Sequence, residues 1–259
     1  MGERTEYAPG TFSWVDLSTP DPEAAKQFYA ALFGWQSQDL PVPGDSFYSM
    51  QQLDGKNVAA IAPQPQQQRE AGAPPAWQSY VTVASADDAA RRAGDVGGNV
   101  HAGPFDVLQA GRMAVVQDPQ GAFFMVWEPR ESIGAELVNV PGALCWNELA
   151  ASDLDAAPDF YSQLFGWTVE AFEGGPMRYL TIKVAGSSNG GMRATQPQEP
   201  PNWLVYFAME DVEAAMGRVK ELGGSALSGP HDMSSVAKIG VVQDPQGAVF
   251  ALYTGQLEP

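Results

Sequence analysis

Two carboxylates, Asp16 and Glu148, occupy matching places in two short frames of the sequence, WVDL and WNEL, which begin at Trp14 and Trp146. Side chains alternate between the faces of a β-strand, so each carboxylate shares a face with the tryptophan two residues before it. A carboxylate that faces an apolar wall must be paired, protonated or solvated. Each is therefore a candidate ligand anchor or a candidate general base with a raised pKa.

Other side chains are expected on the same faces, and together they would form an aromatic wall with few polar groups. The candidate ligand-binding residues are Trp14, Asp16, Gln78, Tyr80, Met125, Trp127, Trp146, Glu148, Tyr206 and Tyr253. Such a wall suits a flat, mostly apolar ligand. The competing interpretation is packing, because burying one large side chain stabilises a fold by roughly 1.5–3 kcal/mol. In that case a nearby arginine, such as Arg112 or Arg178, pairs with the carboxylate.

Two blocks that recur in the same order indicate that the chain is a duplication. Phe28–Trp35 returns as Phe160–Trp167, a shift of 160 − 28 = 132 residues. The block VVQDPQGA at Val115–Ala122 returns unchanged at Val241–Ala248, a shift of 241 − 115 = 126 residues. Ordered repeats of this length are typical of a duplicated domain. We expect domains at residues 1–130 and 143–259, joined by a linker at residues 131–142.

Each half shows the order β-α-β-β-β twice. The first helix has Asp21 as its N-cap and Pro22 at its first position, where the missing N–H costs nothing. In the second half Pro158 would fall in the second turn of a helix that began at Asp153, so we expect that helix to begin near Asp155. Residues 63–75 and 194–202 are rich in Pro and Gln and are predicted to be linkers.

These features resemble the vicinal oxygen chelate superfamily, also called the glyoxalase/bleomycin-resistance/dioxygenase family. The resemblance rests on the FYxxLFGW helix end, the aspartate-capped entry to the helix, and the DPxG turn before the last strand. It covers nearly the whole chain, twice, and is strongest with two-domain actinobacterial members that are often labelled "hydroxylase". It implies an α+β fold of tandem domains, each with two βαβββ units that curl into a half-open sheet around a cavity.

For the enzymes of the family, the resemblance also implies a metal held by His, Gln or Glu at three positions in a domain. These positions hold Trp14, Gln78 and Met125 in the first half, and Trp146, Leu204 and Ala251 in the second. A catalytic zinc needs about three protein ligands and an open position, and an indole nitrogen can only donate. His101 and His231 adjoin Gly-Pro pairs and are interpreted as loop residues. We therefore expect no metal and no cofactor.

Charge and composition restrict the partners. The formal net charge of −17 and the pI of about 4.3 disfavour phosphate backbones and anionic membranes. No apolar run approaches the ~20 residues that span a bilayer, and the first residues lack the apolar core of a signal peptide. The one cysteine, Cys145, cannot form an internal disulfide and is expected to be a buried, inert thiol. These features predict a cytoplasmic protein without nucleic-acid or membrane partners.

Three functions remain open from the sequence. The favoured one is a metal-independent protein of the bleomycin-resistance type that binds or sequesters a hydrophobic or aromatic compound, such as an antibiotic or secondary metabolite, as a monomer or homodimer. The second is an enzyme of the same superfamily, lyase- or glyoxalase-like, dioxygenase-like or metal-free, with Asp16 or Glu148 as base. In the third, one domain binds ligand and the other is structural. The second domain is then the expected structural half, because it carries Leu204 and Ala251.

Overall fold

The computed structural model describes residues 2–43, 46–173, 177–234 and 237–257 and forms two eight-stranded sheets with five helices among those residues. The strands of the first sheet are β1 (Phe12–Thr19), β2 (Gln36–Val42), β3 (Ser46–Leu53), β4 (Lys56–Pro63), β5 (Ala76–Thr82), β6 (Asn99–Val107), β7 (Gly111–Gln117) and β8 (Phe123–Pro129). The strands of the second are β9 (Leu144–Ala151), β10 (Thr168–Phe172), β11 (Tyr179–Val184), β12 (Ser187–Ala194), β13 (Asn202–Ala208), β14 (Ser225–Ser234), β15 (Ala237–Gln243) and β16 (Val249–Thr254). The helices are α1 (Pro22–Phe33), α2 (Gln66–Glu70), α3 (Ala86–Asp95), α4 (Ala157–Phe165) and α5 (Val212–Glu221).

The two sheets have the same topology. The order is β2-β3-β4-β1-β5-β8-β7-β6 in the first and β10-β11-β12-β9-β13-β16-β15-β14 in the second. In each sheet the first strands of two βαβββ units lie antiparallel at the centre, and each also pairs in parallel with the last strand of its own unit. The predicted α+β fold of tandem domains, each with two βαβββ units, is confirmed.

Local chemistry explains where the helices begin and end. The Asp21 carboxylate accepts from the Ala24 N–H at the start of α1, and Gly34 ends that helix with a φ of 78° that suits glycine. Helix α4 begins at Ala157, slightly later than predicted, because the Asp153 carboxylate caps a turn ahead of it instead.

The edge strands β2, β6, β10 and β14 and the inner strand β12 were not predicted from the sequence. His101 and His231 lie on β6 and β14 rather than in loops, because both strands continue past their Gly-Pro pairs with shifts of register. Gly190 and Gly191 lie on β12, which pairs with β9. A Cβ on Gly191 would overlap the Tyr179 hydroxyl, so this strand needs glycine for packing. The first predicted linker contains the short helix α2.

The first helix of each domain packs against the other domain. Helix α1 contacts α5, and its Phe33 ring lies 4.9 Å from that of Phe207 on β13. Helix α4 contacts α3, and its Tyr161 ring lies 5.6 Å from that of Phe124 on β8. The outer face of each sheet is therefore covered by helices from both domains, and the two inner faces point away from this shared core.

The two repeated blocks meet where the two domains pack together, a region that we call the joint between domains. Tyr29 of the first FYxxLFGW block donates to Asp244 of the second DPQG turn at 3.0 Å, and Tyr161 donates to Asp118 of the first turn at 2.8 Å. The other oxygen of each aspartate accepts three backbone N–H groups of its own turn. Because both blocks build the joint between domains, their recurrence is explained by packing.

A third repeat leads into each sheet. Residues 2–10 and 134–142 both have glycine first and Pro-Gly last, and we call them the N-terminal arm and the central arm. Trp167 Nε1 donates to the Gly10 carbonyl and Trp35 Nε1 to the Gly142 carbonyl, each at 2.7 Å. Each arm therefore precedes one sheet and is bound by the other domain. No helix among the described residues has the length and apolarity to cross a membrane.

Candidate functional site

The inner face of the first sheet centres on Asp16. Trp14 Nε1 donates to the Tyr48 hydroxyl at 2.8 Å, and Tyr48 donates to Asp16 Oδ2 at 2.9 Å. Tyr80 donates to the same oxygen at 2.7 Å. Burial raises the pKa of Asp16 to about 6, although the hydrogen bonds from Tyr80 and Tyr48 oppose the shift. Asp16 is thus satisfied by two phenols.

The rest of this face is filled by large side chains. Trp14 and Trp127 are only 7% and 8% exposed, and Met125 is equally buried. Trp127 Nε1 donates to the Ser132 carbonyl at 3.0 Å, which fixes the indole against the chain that follows β8. Gln78 lies directly opposite Asp16 in the pairing of β1 with β5 and is half-buried.

The inner face of the second sheet repeats this arrangement with a different counterion. Trp146 Nε1 donates to the Tyr179 hydroxyl at 2.8 Å. Burial, and next the Glu148 carboxylate, hold the pKa of Tyr179 and Tyr206 well above the ordinary tyrosine value. Glu148 Oε1 accepts from Arg193 Nε at 2.7 Å, so this buried carboxylate has a cationic partner, which none of the described residues provides for Asp16.

The arginines proposed from the sequence as partners were the wrong ones. Arg112 pairs with Asp87 and Asp106, and Arg178 with Asp155. These acids are near the helix starts and edge strands, away from the inner faces. Arg193 was missed because it lies on β12, which was not predicted as a strand. Its guanidinium also binds Glu199 through two hydrogen bonds of 2.7 Å.

A cavity of about 590 Å³ opens on the inner face of the second domain. Of the residues predicted to bind ligand, Trp146, Glu148, Tyr206 and Tyr253 line it. The other predicted residues, Trp14, Asp16, Gln78, Tyr80, Met125 and Trp127, belong to the first domain and are not part of its wall. The half expected to be structural is therefore the half with this cavity.

Side-chain size at matching positions explains why the cavity lies in the second domain. The strand registers equate the first-domain residues Met50, Met113, Met125 and Trp127 with Thr181, Ile239, Ala251 and Tyr253. At three of these positions the first domain carries the larger group, whereas Met113 and Ile239 are similar in volume. The removed thioether and indole atoms leave space beside Trp146, which is half-buried, whereas its counterpart Trp14 is buried.

Most lining residues were missed by the sequence analysis, and three of them bear on the chemistry of the cavity. Arg4 and Tyr7 belong to the N-terminal arm, and Lys183 lies on β11 on the same face as Tyr179. The arm is held over the cavity because Asn189 Nδ2 donates to the Gly10 carbonyl at 3.0 Å. The signal available in the sequence was the third repeat, which marks the arm as an ordered element.

Cys145 also lines the cavity, but it is not activated. Burial raises the pKa of its thiol well above the ordinary value, and its Sγ lies 3.5 Å from the Tyr206 carbonyl. A thiol that stays protonated is a poor nucleophile. Cys145 is half-buried rather than buried as predicted, and its inertness stays a prediction.

The residues at the family's ligand positions do not fit a metal. The two indole nitrogens at these positions donate to tyrosine hydroxyls, and an indole has no lone pair to offer in their place. Met125, Leu204 and Ala251 supply no oxygen or nitrogen donor. Within the described ranges no group of three His, Cys, Asp or Glu side chains converges as a metal site would require.

Comparison with known proteins places this geometry in a family. The sequence model of the Glyoxalase/Bleomycin resistance protein/Dioxygenase superfamily matches residues 11–126 and 144–252. "Putative glyoxylase CFP32" of Mycobacterium tuberculosis is 42% identical over 97% of both chains. "Anthracycline biosynthesis protein DnrV" of Streptomyces peucetius is 36% identical over 96% of this chain and 94% of the relative.

Solved structures share the fold at low identity. The Mn(II)-bound glyoxalase from Novosphingobium aromaticivorans has a TM-score of 0.66 at 16% identity, covering 96% of this chain and 83% of its own. The 2,3-dioxygenase LapB from Pseudomonas sp. KL28 has a TM-score of 0.66 at 11% identity, covering 98% and 95%. At such identities the likeness concerns the fold alone. The sequence model and the curated relatives identify the chain as a member of the glyoxalase/bleomycin resistance protein/dioxygenase superfamily.

Proposed function

We propose that this protein binds a small hydrophobic or aromatic compound in the cavity of its second domain and does so without a metal. The observation that carries the proposal is the cavity of about 590 Å³ beside Trp146, which occupies one of the family's three metal-ligand positions, the other two being Leu204 and Ala251. Its volume lies in the range of small-molecule pockets, ~300–1,000 Å³. The ligand is a secondary metabolite or an antibiotic, held for sequestration or transfer.

The aromatic wall supports this ligand class. Trp146, Tyr179 and Tyr206 present ring surface to the cavity, and Phe172 adds an exposed ring whose centroid lies 6.2 Å from that of Tyr179. Stacked or edge-on rings recognise flat aromatic compounds. Two relatives are named anthracycline biosynthesis proteins. Anthracyclines are fused-ring compounds, which is the shape that this wall would favour.

Titration of the purified protein with a fused-ring probe, such as an anthracycline, tests the proposal by calorimetry. We expect saturable binding to the wild type and a loss of about tenfold or more in affinity for Thr181→Met, which introduces the larger first-domain side chain. Thr181→Val is the matched control, because valine keeps the volume of threonine. Absence of saturable binding, or equal affinity in the Thr181→Met and wild-type proteins, would contradict the proposal.

Metal independence is tested by a separate experiment. After dialysis against divalent zinc, manganese, iron and nickel followed by removal of free ions, elemental analysis is expected to find far less than one ion per chain. Probe affinity is expected to be unchanged by a chelator. Stoichiometric metal, or binding that a chelator abolishes, would overturn metal independence.

A catalytic function is the second candidate, and Glu148 is the observation that favours it, because this carboxylate lines the cavity. This carboxylate forms an ion pair with Arg193 and accepts hydrogen bonds from Tyr179 and Tyr206. Asp16, the other proposed base, lies in the filled first domain. Turnover of a bound compound that is lost in Glu148→Gln would establish the catalytic function instead.

A further inference from the structure

The second-domain cavity contains two cations whose positions are not explained by the hydrophobic character of its wall. Lys183 on β11 and Arg4 on the N-terminal arm both line it. Lys183 is half-buried, and its Nζ donates to the Ser188 hydroxyl at 2.8 Å. Arg4 donates to the Glu3 carbonyl at 3.1 Å. For neither side chain does the described part of the chain supply a carboxylate at ion-pair distance.

These two cations can be compared with the residues at the matching positions of the first domain. The strand pairing equates Lys183 with Gln52, because each lies at the end of its hairpin opposite Ser188 or Asn57. The shift between the two arms, 134 − 2 = 132 residues, equates Arg4 with Glu136. Both matching residues in the first domain are therefore uncharged or acidic.

Glu136 also shows that the arm residue has a defined task in the first domain. Its carboxylate accepts from the Asn57 N–H at 2.8 Å and so closes the β3–β4 hairpin. In the second domain an arginine occupies this position and lines the cavity instead. The two halves thus differ by two added cations on the side of the open cavity.

These cations matter because of the charges around them. The chain has a formal net charge of −17, so two cations that line one cavity are unusual in this acidic protein. Glu148, the buried acid in the wall, is already paired with Arg193, whose guanidinium is shared with Glu199. A partly buried ammonium with only neutral partners is best stabilised by an anion.

Resting on the proposed function, we propose that the cavity selects aromatic compounds that carry an anionic group, a carboxylate or an equally acidic oxygen, and that Lys183 and Arg4 bind this group. The apolar rings hold the flat body of the ligand, and the two cations fix its orientation. The N-terminal arm, which leads into the first domain, therefore contributes to specificity in the second domain.

A pair of isosteric probes tests the inference on the unaltered protein. We expect 2-anthracenecarboxylate to bind at neutral pH about tenfold or more tightly than 2-anthracenecarboxamide, which is the effect of one charge-assisted hydrogen bond of modest strength. Equal affinities, or tighter binding of the amide, overturn the inference while leaving the proposed function in place. Binding of neither probe overturns both.

A variant pair assigns the effect to the two residues. Lys183→Gln/Arg4→Gln is expected to lose about tenfold in affinity for the carboxylate and to bind the amide unchanged. Lys220→Gln/Arg92→Gln changes the net charge by the same amount on helix surfaces away from the cavity and is expected to bind both probes as the wild type does. Equal losses for both probes, or the same loss in the control, overturn the assignment to Lys183 and Arg4.

Discussion

The inner faces of the two domains share one hydrogen-bonded frame, formed by a tryptophan, two tyrosines and a carboxylate. They differ in the side chains that lie beside it. In the first, Trp14 and two tyrosines surround Asp16, and methionines and Trp127 fill the remaining space. In the second, the same frame surrounds Glu148 and leaves a cavity. The frame was kept in both halves, whereas the size of a few side chains differs. A duplicated half can therefore exchange a binding cavity for packing without any change of fold.

The largest effect is expected from emptying the first domain. Met125→Ala removes a buried side chain and is expected to lower the free energy of unfolding by about 2–5 kcal/mol, because the rigid frame cannot collapse into the space. Adding a side chain to the second domain by Thr181→Met is expected to cost less, because Thr181 lines the cavity. Urea denaturation of both variants gives the comparison. Equal costs would mean that the two faces are packed alike.

The buried Asp16 carboxylate is expected to make the stability of the protein depend on pH. The pKa of Asp16 is raised from 3.8 to about 6, so the folded state takes up a proton that the unfolded state releases. Stability from this group is therefore greatest below the unfolded pKa and declines as the pH rises from about 4 to about 6, by roughly 3 kcal/mol in all. Asp16→Asn is expected to lack this decline in denaturation curves taken across the window. Identical pH profiles for the variant and the wild type would refute the burial effect on Asp16.

The joint between domains, unlike the inner faces, should respond equally in both halves. Tyr29→Phe and Tyr161→Phe each remove one hydrogen bond to a buried aspartate and leave a tryptophan N–H, of Trp77 or Trp203, without its acceptor. Each is expected to lower the unfolding free energy by about 1–3 kcal/mol. Calorimetric unfolding of the two variants would show similar losses. A loss in only one of them would mean that the joint has diverged as the inner faces have.

The smallest effect is expected from removing a hydrogen bond at each of the two arms. Trp167→Phe removes one of the two side-chain hydrogen bonds that hold the N-terminal arm at the Gly10 carbonyl and is expected to weaken ligand binding about fivefold, the effect of roughly 1 kcal/mol. Trp35→Phe frees the central arm at Gly142, on the filled domain, and is expected to change stability without changing affinity. Probe titration of both variants measures the difference. Equal affinities would mean that the N-terminal arm does not contribute to binding.

Most of the fold could be predicted from local patterns. The repeated blocks indicated the duplication, and the capping residues Asp21 and Gly34 indicated where the first helix begins and ends. The missed strands are at sheet edges or, in β12, contain Gly190 and Gly191. Such strands lack the apolar alternation that marks a half-buried strand, because solvent covers one side or close packing requires glycine.

The site could be predicted only in part, because its decisive features depend on contacts between distant segments. Matching positions identified Trp146, Glu148, Tyr206 and Tyr253 as residues of one wall. No local pattern shows that Arg193, rather than Arg178, meets Glu148, since β12 had not been recognised. Which domain carries the cavity depends on the summed volume of side chains from several strands, whereas the residues at the family's ligand positions had suggested that the second half is structural.

The number of ligands bound per chain tests the central claim most directly. Equilibrium dialysis with a saturating fused-ring probe is expected to give one ligand per chain, bound in the second domain, because the first is filled by its own side chains. Two ligands per chain would show that the first domain also binds, and none would show that the cavity is not a binding site; either result would contradict the account.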